Sequence, residues 1–165
     1  MIDTPRLHLR KPTVEDLPPA QAFYATERSK FVGGPADHGE SWRLAAMFLG
    51  HWMLRGYGLF TVVTRDTGRA IGLVGPWYPG DWPDHELGWQ IWDTQDEGQG
   101  YATEAAKAAR GWARTTLNWT RIVSYIAPEN TGSIAVANRL GAALSDLPHP
   151  PGKPCQVFRH PEGET

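Results

Sequence analysis

Cysteine is nearly missing from this chain: Cys155 is the only one in 165 residues, which excludes an internal disulfide. Its neighbours Lys153, Pro154 and Gln156 supply neither an activating base nor a metal-ligand spacing, so a covalent cysteine mechanism is not expected. No apolar run approaches the roughly 20 residues that span a bilayer, and the N-terminus lacks the apolar stretch of a secretory signal. A cytoplasmic protein with no membrane contact is therefore expected. Charge of one sign is also lacking, because 16 Lys and Arg against 18 Asp and Glu leave a net charge of -2 without blocks. Such a balance does not gather a polyanion, and nucleic acid is not an expected partner. The six histidines, His8, His38, His51, His85, His149 and His160, show no helical i, i+3 or i, i+4 pairing with another ligand type, so no metal site is expected. Repeats and internal linkers are absent too, and the length suits one core, so residues 1–165 are expected to form a single domain.

What is present reads as α/β with mixed order. Leu7 and Leu9 alternate with polar residues between Arg6 and Lys11, the period of a half-buried strand. Asp16 can cap a short helix with Pro18 and Pro19 in its first turn, where a missing N–H costs nothing. Trp42, Ala45, Leu49 and Trp52 predict an apolar helical stripe between a Ser41 cap and a Gly56 stop. Leu59 to Thr64, the turn Asp66-Thr67-Gly68, and Ala70 to Gly75 read as a hairpin. A strand over Glu86 to Trp92 follows. Beyond it, Tyr101, Ala105, Ala108 and Trp112 predict a helical stripe, with Lys107, Arg110 and Arg114 facing elsewhere. Arg121 to Ile126 reads as a short strand parallel to its predecessor through a right-handed crossover. A helix from Asn130 to Leu140 and strands near Ala142–Leu147 and Gln156–Arg159 close the chain, with a rigid proline-rich loop over Leu147–Pro154 and a frayed EGET tail.

The most informative segment is Gln95 to Thr103, QDEGQGYAT, which runs directly into EAAKAARGWA. Gly98 and Gly100 remove two Cβ atoms where the backbone must bend, so successive N–H groups of Gln99, Gly100, Tyr101, Ala102 and Thr103 can turn toward one anion. The helix that follows aims its unpaired N–H groups and positive dipole end at the same point. This predicts a diphosphate cradle. A dinucleotide-binding reading of Gly98-Gln99-Gly100 is weaker, because Thr103 stands at the third glycine position and the unit comes after several strands. A phosphate-binding NTPase loop would need a Gly-Lys-Ser/Thr that does not follow.

Together with Pro128-Glu-Asn-Thr-Gly-Ser133 and the helix behind it, this loop resembles the GNAT N-acetyltransferases, most closely the ribosomal-protein N-terminal acetyltransferase branch. The family's Gln/Arg-x-x-Gly-x-Gly/Ala appears as Gln95, Gly98 and Gly100, and its Asn-x-x-Ser and Leu-Gly as Asn130, Ser133, Leu140 and Gly141. The opening TPRLHLRKPTVEDL is similar to that branch as well, so the likeness spans roughly residues 4 to 147. It implies a GNAT acyl-CoA N-acyltransferase fold: a strongly bent mixed sheet of six to seven strands, splayed parallel strands four and five, and about four helices. Acetyl-CoA would lie in the splay as acyl donor. Its arm would pair with the strand edge at Gln90, Ile91 and Trp92, and the resemblance places a β-bulge in this strand, with Gly88 as its enabling residue.

Asn130 either bonds the arm or caps its helix, Ser133 has the same two readings, and Asn138 either reaches the cofactor or faces water. Glu86, where that strand begins, is the candidate general base, with His85 behind it. Relatives protonate the departing thiolate with a tyrosine from the last major helix, but Ala137 stands there, leaving Ser133, a water or no acid at all. The expected reaction is direct acetyl transfer to a primary amine, from a protein N-terminus or a small molecule. Trp77, Tyr78 and Trp82 in one loop, the Phe31 to Pro35 turn, and Asp37, Glu40, Asp81 and Asp84 are candidates for the acceptor side or only for packing and solvation. A catalytically silent acyl-CoA-binding sensor or interaction module is the rival reading. Self-association as a homodimer stays open.

Overall fold

The β-branched and alternating segments pair into one eight-stranded sheet. A computed structural model describes residues 1–152 and 154–163; Lys153 of the proline-rich loop and Glu164 and Thr165 of the tail lie outside the described residues. In chain order the elements are β1 (Ile2–Asp3), β2 (Leu7–Arg10), α1 (Leu17–Tyr24), α2 (His38–Arg55), β3 (Phe60–Thr64), β4 (Ala70–Trp77), β5 (Glu86–Ile91), α3 (Tyr101–Leu117), β6 (Val123–Ile126), α4 (Thr131–Arg139), β7 (Ala143–Ser145) and β8 (Gln156–Arg159). The spatial order is β1-β2-β3-β4-β5-β6-β8-β7, and among the described residues only β5 and β6 run parallel. The strand beyond the seven read from the sequence is the two-residue β1, too short to show a period.

One sheet face packs on α3, whose Ala105, Ala106, Ala109 and Ala113 are fully buried with Leu7, Leu9, Val62 and Leu87. Four alanines let the helix axis approach the sheet closely, which carries the start of α3 to the end of β5. The other face holds α1 and α2, through Phe23, Tyr24 and Phe48 against Leu73, Trp77 and Trp92.

Several local expectations change. Helix α2 starts at His38, because Asp37 accepts from the Glu40 N–H and Glu40 returns the bond to the Asp37 N–H. Ser41 therefore lies inside the helix on its buried face with Phe48 and His51, while Trp42 is exposed. Asp16 stands at the cap position of α1 but makes no cap bond. Its carboxylate is taken by Arg10 at 2.6 and 2.8 Å, the Thr13 N–H at 2.9 Å and the Thr61 hydroxyl at 2.7 Å. Arg110, expected off the apolar stripe, is nonetheless buried. It is 2% exposed and donates to the Leu140 carbonyl at 2.6 Å. Arg114 likewise turns inward, to the Pro161 carbonyl.

The implied bulge in β5 does not occur, since β4 and β5 pair without a break from Trp77↔Glu86 to Gly72↔Ile91. The irregularity falls between Val62 and Val63, with Ile71 as the extra residue of β4. The splay has a different origin: β5 and β6 share the single pair Glu86↔Val123, whereas β6 pairs with β8 over all four of its residues.

Two buried groups make stability fall in acid. Burial, then Arg110 and Arg114, push the His160 ring down to about 3. The unfolded ring titrates near ~6.5. Between these values the unfolded chain binds a proton that the native state refuses, so stability is complete above the unfolded value and is lost on acidification. Asp16 adds to this lower down: burial pushes it up, but Arg10, the Thr13 N–H and Thr61 hold it below the usual carboxylate range. Urea denaturation is expected to show a decline of roughly 1 kcal/mol per pH unit from about pH 6.5 downward. A flat profile between pH 6.5 and 4.5 would contradict the neutral, buried state of His160.

Candidate active site

The loop between β5 and α3 takes the shape its glycines allow. Gly98 has φ 72° and Gly100 φ 79°, both left-handed, and Gly100 is the residue before α3. The first helical bond runs from the Glu104 N–H to the Gly100 carbonyl, so the N–H groups of Tyr101, Ala102 and Thr103 precede the helical ladder. That is the local structure of an anion cradle. Gln95 turns elsewhere: its side chain and its N–H both donate to Asp93, at 3.1 Å each.

Three arginines from distant segments hold this loop. Arg69 makes a two-pronged bond to the buried Asp96 at 2.7 and 2.8 Å. Arg28 donates to the carbonyls of Ile91 and Trp92 and pairs with Glu97. Arg6 donates to the Gln99 carbonyl at 2.9 Å, pairs with Glu104 at 2.6 Å and lies over the Tyr101 ring. Glu104 also accepts from the Thr4 hydroxyl. Burial pushes the Glu104 carboxyl up, but Thr4, the Arg6 N–H and the Arg6 side chain together hold it below its usual value. Sequence reasoning missed all three arginines. The available signal was the presence of Asp96, Glu97 and Glu104 around one short loop, since three acids so close together need counter-ions.

The pleat decides which groups of β5 face the splay. The Trp92 N–H donates to Ile71 on β4, and the Val123 N–H donates to His85 on the opposite side. By alternation, the main-chain groups of Leu87, Trp89 and Ile91 face β6 and the gap, while those of Gln90 and Trp92 face β4. Of the three edge candidates, Ile91 alone keeps a gap-facing N–H, and Trp89 joins it. Gln90 sends its side chain to the α1 face, where its Oε1 accepts from Tyr24 at 2.9 Å. Trp89 points to the other face, and its Nε1 donates to Ser133 Oγ at 3.2 Å, bridging β5 to α4.

On α4, Asn130 is the N-cap and accepts from the Ser133 N–H at 3.1 Å. Asn138 is exposed near the other end. Ala137 is fully buried with Ile126, Ala142 and Phe158, so that position faces the core. Glu86 lies on the same face of β5 as Gln90, and its Oε2 accepts from Trp82 Nε1 at 2.5 Å. Gly88 leaves space beside it, since a Cβ there would stand 3.8 Å from Glu86 Oε1. Immediately before the strand, His85 stacks on Trp119 at 4.2 Å; burial lowers its pKa most, so the ring is a neutral packing partner. Trp77 belongs to β4 and stacks on His51 in the core, leaving Tyr78 and Trp82 for the loop.

A glycine-turned helix start lies next to a strand that opens from its parallel neighbour, the arrangement shared with known acetyltransferases. The acetyltransferase (GNAT) domain model matches residues 6–143, and the chain belongs to the GNAT acetyltransferase family. It is similar to an acetyltransferase from Agrobacterium tumefaciens, with 38% identity, a TM-score of 0.89, and 96% of this chain and 92% of that one covered. A putative ribosomal-protein-serine acetyltransferase from Vibrio cholerae has 25% identity and a TM-score of 0.75, with 97% of both chains covered. An uncharacterised N-acetyltransferase of Bacillus subtilis is 34% identical over 83 residues, a match that spans 50% of this chain and 48% of that protein.

Proposed function

We propose that this protein transfers acetyl from acetyl-CoA directly to a primary amine while both are bound. The observation that carries the reading is the division of β5. Trp89 and Ile91 expose main-chain groups to the gap beside the cradle, whereas Glu86 projects from the α1 and α2 face of the same strand. The donor and the acceptor can thus meet across the gap from opposite sides.

The residues present fit the donor. Gly98, Gln99 and Gly100 with the N–H groups of Tyr101, Ala102 and Thr103 would hold the diphosphate, and Arg6, Arg28 and Arg69 offset the acids around it. Main-chain groups of Trp89 and Ile91, with Asn130 opposite, would hold the pantetheine arm as an added strand. Bound acetyl-CoA supplies a thioester, whose carbonyl a β5 N–H would polarise. Glu86 takes the proton of the amine, directly or through water. An α-amine, with a reference pKa of about 7.7 to 8, needs less help than a lysine side chain at about 10.4. Ser133 Oγ already accepts from Trp89, so its hydroxyl can donate a hydrogen bond to the departing thiolate, which keeps its charge as it leaves. With Ala137 in the core, that role does not fall to α4's buried face.

The acceptor is a protein N-terminus or a small amine that enters past Trp82 and the Phe31 to Pro35 turn. Thiol release measured across free amines and short peptides with different N-terminal residues tests the reading. Saturable CoA formation with at least one amine class is expected. Saturable CoA binding without turnover on any amine would replace the enzyme by a sensor, and absence of binding would remove both.

A further inference from the structure

A buried row of hydrogen bonds begins where the β5–β6 ladder stops. Ser124 Oγ donates to the Leu87 carbonyl at 2.7 Å, His160 Nε2 lies 3.0 Å from Ser124 Oγ, and Arg110 Nη1 lies 3.2 Å from His160 Nδ1. Ser124, His160 and Arg110 are each 2% exposed. The chemistry assigns every proton. Arginine can only donate, so His160 Nδ1 must present its lone pair. A neutral ring then carries its hydrogen on Nε2 and gives it to Ser124 Oγ, whose own hydrogen goes to Leu87. Burial, Arg110 and Arg114 keep the ring neutral, so this direction does not reverse near neutral pH.

The row ends beside the donor's path. Leu87 is the last gap-facing residue of β5 before Trp89, and the pair after Glu86↔Val123 does not form. The Trp89 ring stands edge-on to the His160 ring, with centroids 6.5 Å apart at 89°. His160 follows β8, outside the residues 6–143 that the family model matches.

We propose that Ser124 and His160 are positioning residues for the acyl donor: they satisfy the Leu87 carbonyl at the last rung and seat the Trp89 ring, which keeps the gap open to the pantetheine arm. The physical reason lies in the cost of an unpaired buried carbonyl. Where two strands separate, the first carbonyl past the break would seek a donor on the neighbouring strand and draw it back. A side-chain hydroxyl that fills this role lets β6 leave. This inference rests on the reading that the gap receives that arm.

The test compares Ser124→Ala, Ser124→Thr and His160→Gln with the parent protein, using CoA and ADP as calorimetric probes. ADP carries a diphosphate but no pantetheine. Ser124→Ala is expected to weaken CoA binding and raise the acetyl-CoA KM about tenfold, with ADP affinity and amine KM within twofold. Ser124→Thr, which keeps the hydroxyl, should recover most of the loss, and His160→Gln should resemble Ser124→Ala. Equal loss of CoA and ADP binding, or CoA affinity unchanged in folded Ser124→Ala, would overturn the proposal. So would failure of both Ser124→Ala and His160→Gln to fold, because the row would then be scaffold alone. If the parent protein does not bind CoA, the functional reading itself falls, which is a separate outcome.

Discussion

Glu86→Gln is expected to lower kcat for amine acetylation by about 10²-fold or more, the range of a lost general base, while CoA affinity stays within about twofold. The separation follows from the pleat. Glu86 projects toward the α1 and α2 face, away from the cradle and from the gap-facing edge of Trp89 and Ile91, so its loss leaves the donor's contacts in place. Glutamine keeps the length and still accepts the Trp82 N–H, so the loop carrying Trp82 should not move. What disappears is the ability to take a proton. The parent enzyme's rate should rise with pH as the amine deprotonates, and the variant's deficit should be largest where the amine is mostly protonated. A variant with parental kcat from pH 6 to 9 would remove Glu86 from the mechanism.

Gly100→Ala is expected to raise the Kd for CoA about tenfold with the fold intact. Space is not the reason, because a Cβ at Gly100 would meet Arg6 Nη2 at an ordinary 3.5 Å. Conformation is: φ there is 79°, and a left-handed L-residue costs roughly 1 to 2 kcal/mol. Either the loop keeps its shape with that strain or it relaxes and turns the N–H groups of Tyr101 to Thr103 off the diphosphate. Gly50→Ala is the control, since Gly50 sits within α2 with open space around it and alanine favours a helix by roughly 1 kcal/mol. Calorimetric titration of both variants with CoA decides the matter. Equal affinity in the two would separate the glycine loop from donor binding.

How much of this was legible depends on whether the governing contacts are local. The hairpin at Asp66-Thr67-Gly68 was readable, because a turn is settled within a few residues: the Gly68 N–H bonds Thr64, and the Thr64 N–H bonds Arg69. The same holds for Gly98 and Gly100. The start of α2 was misread even though its signal is local. Asp37 with Glu40 at the third position is a capping box, and the apolar spacing drew attention to Ser41 instead. Arg110 could not be placed, since its burial depends on Leu140 and His160, 30 and 50 residues away. A periodicity argument puts a guanidinium outside unless it knows of a partner.

The edge of β5 shows the same limit in a sharper form. A strand's alternation is evident from its residues, yet which parity faces the gap depends on which neighbour lies on which side, and that is a property of the sheet order. The residues of β5 do not reveal that Trp89 and Ile91, rather than Gln90 and Trp92, turn their main-chain groups toward the gap.

By itself, the chain's residue order determined where the backbone must turn left-handed, which stretches alternate, and that the two-glycine loop opens a helix, because those properties are set by Cβ sterics and hydrogen bonds between near neighbours. Only the tertiary structure decided which arginines pair with the acids of the glycine loop, which side of β5 opens onto the gap, and that Ser124 with His160 closes off the last rung. Those outcomes arise from contacts between segments tens of residues apart, whose meeting is chosen by packing of the whole sheet and by no short stretch within it.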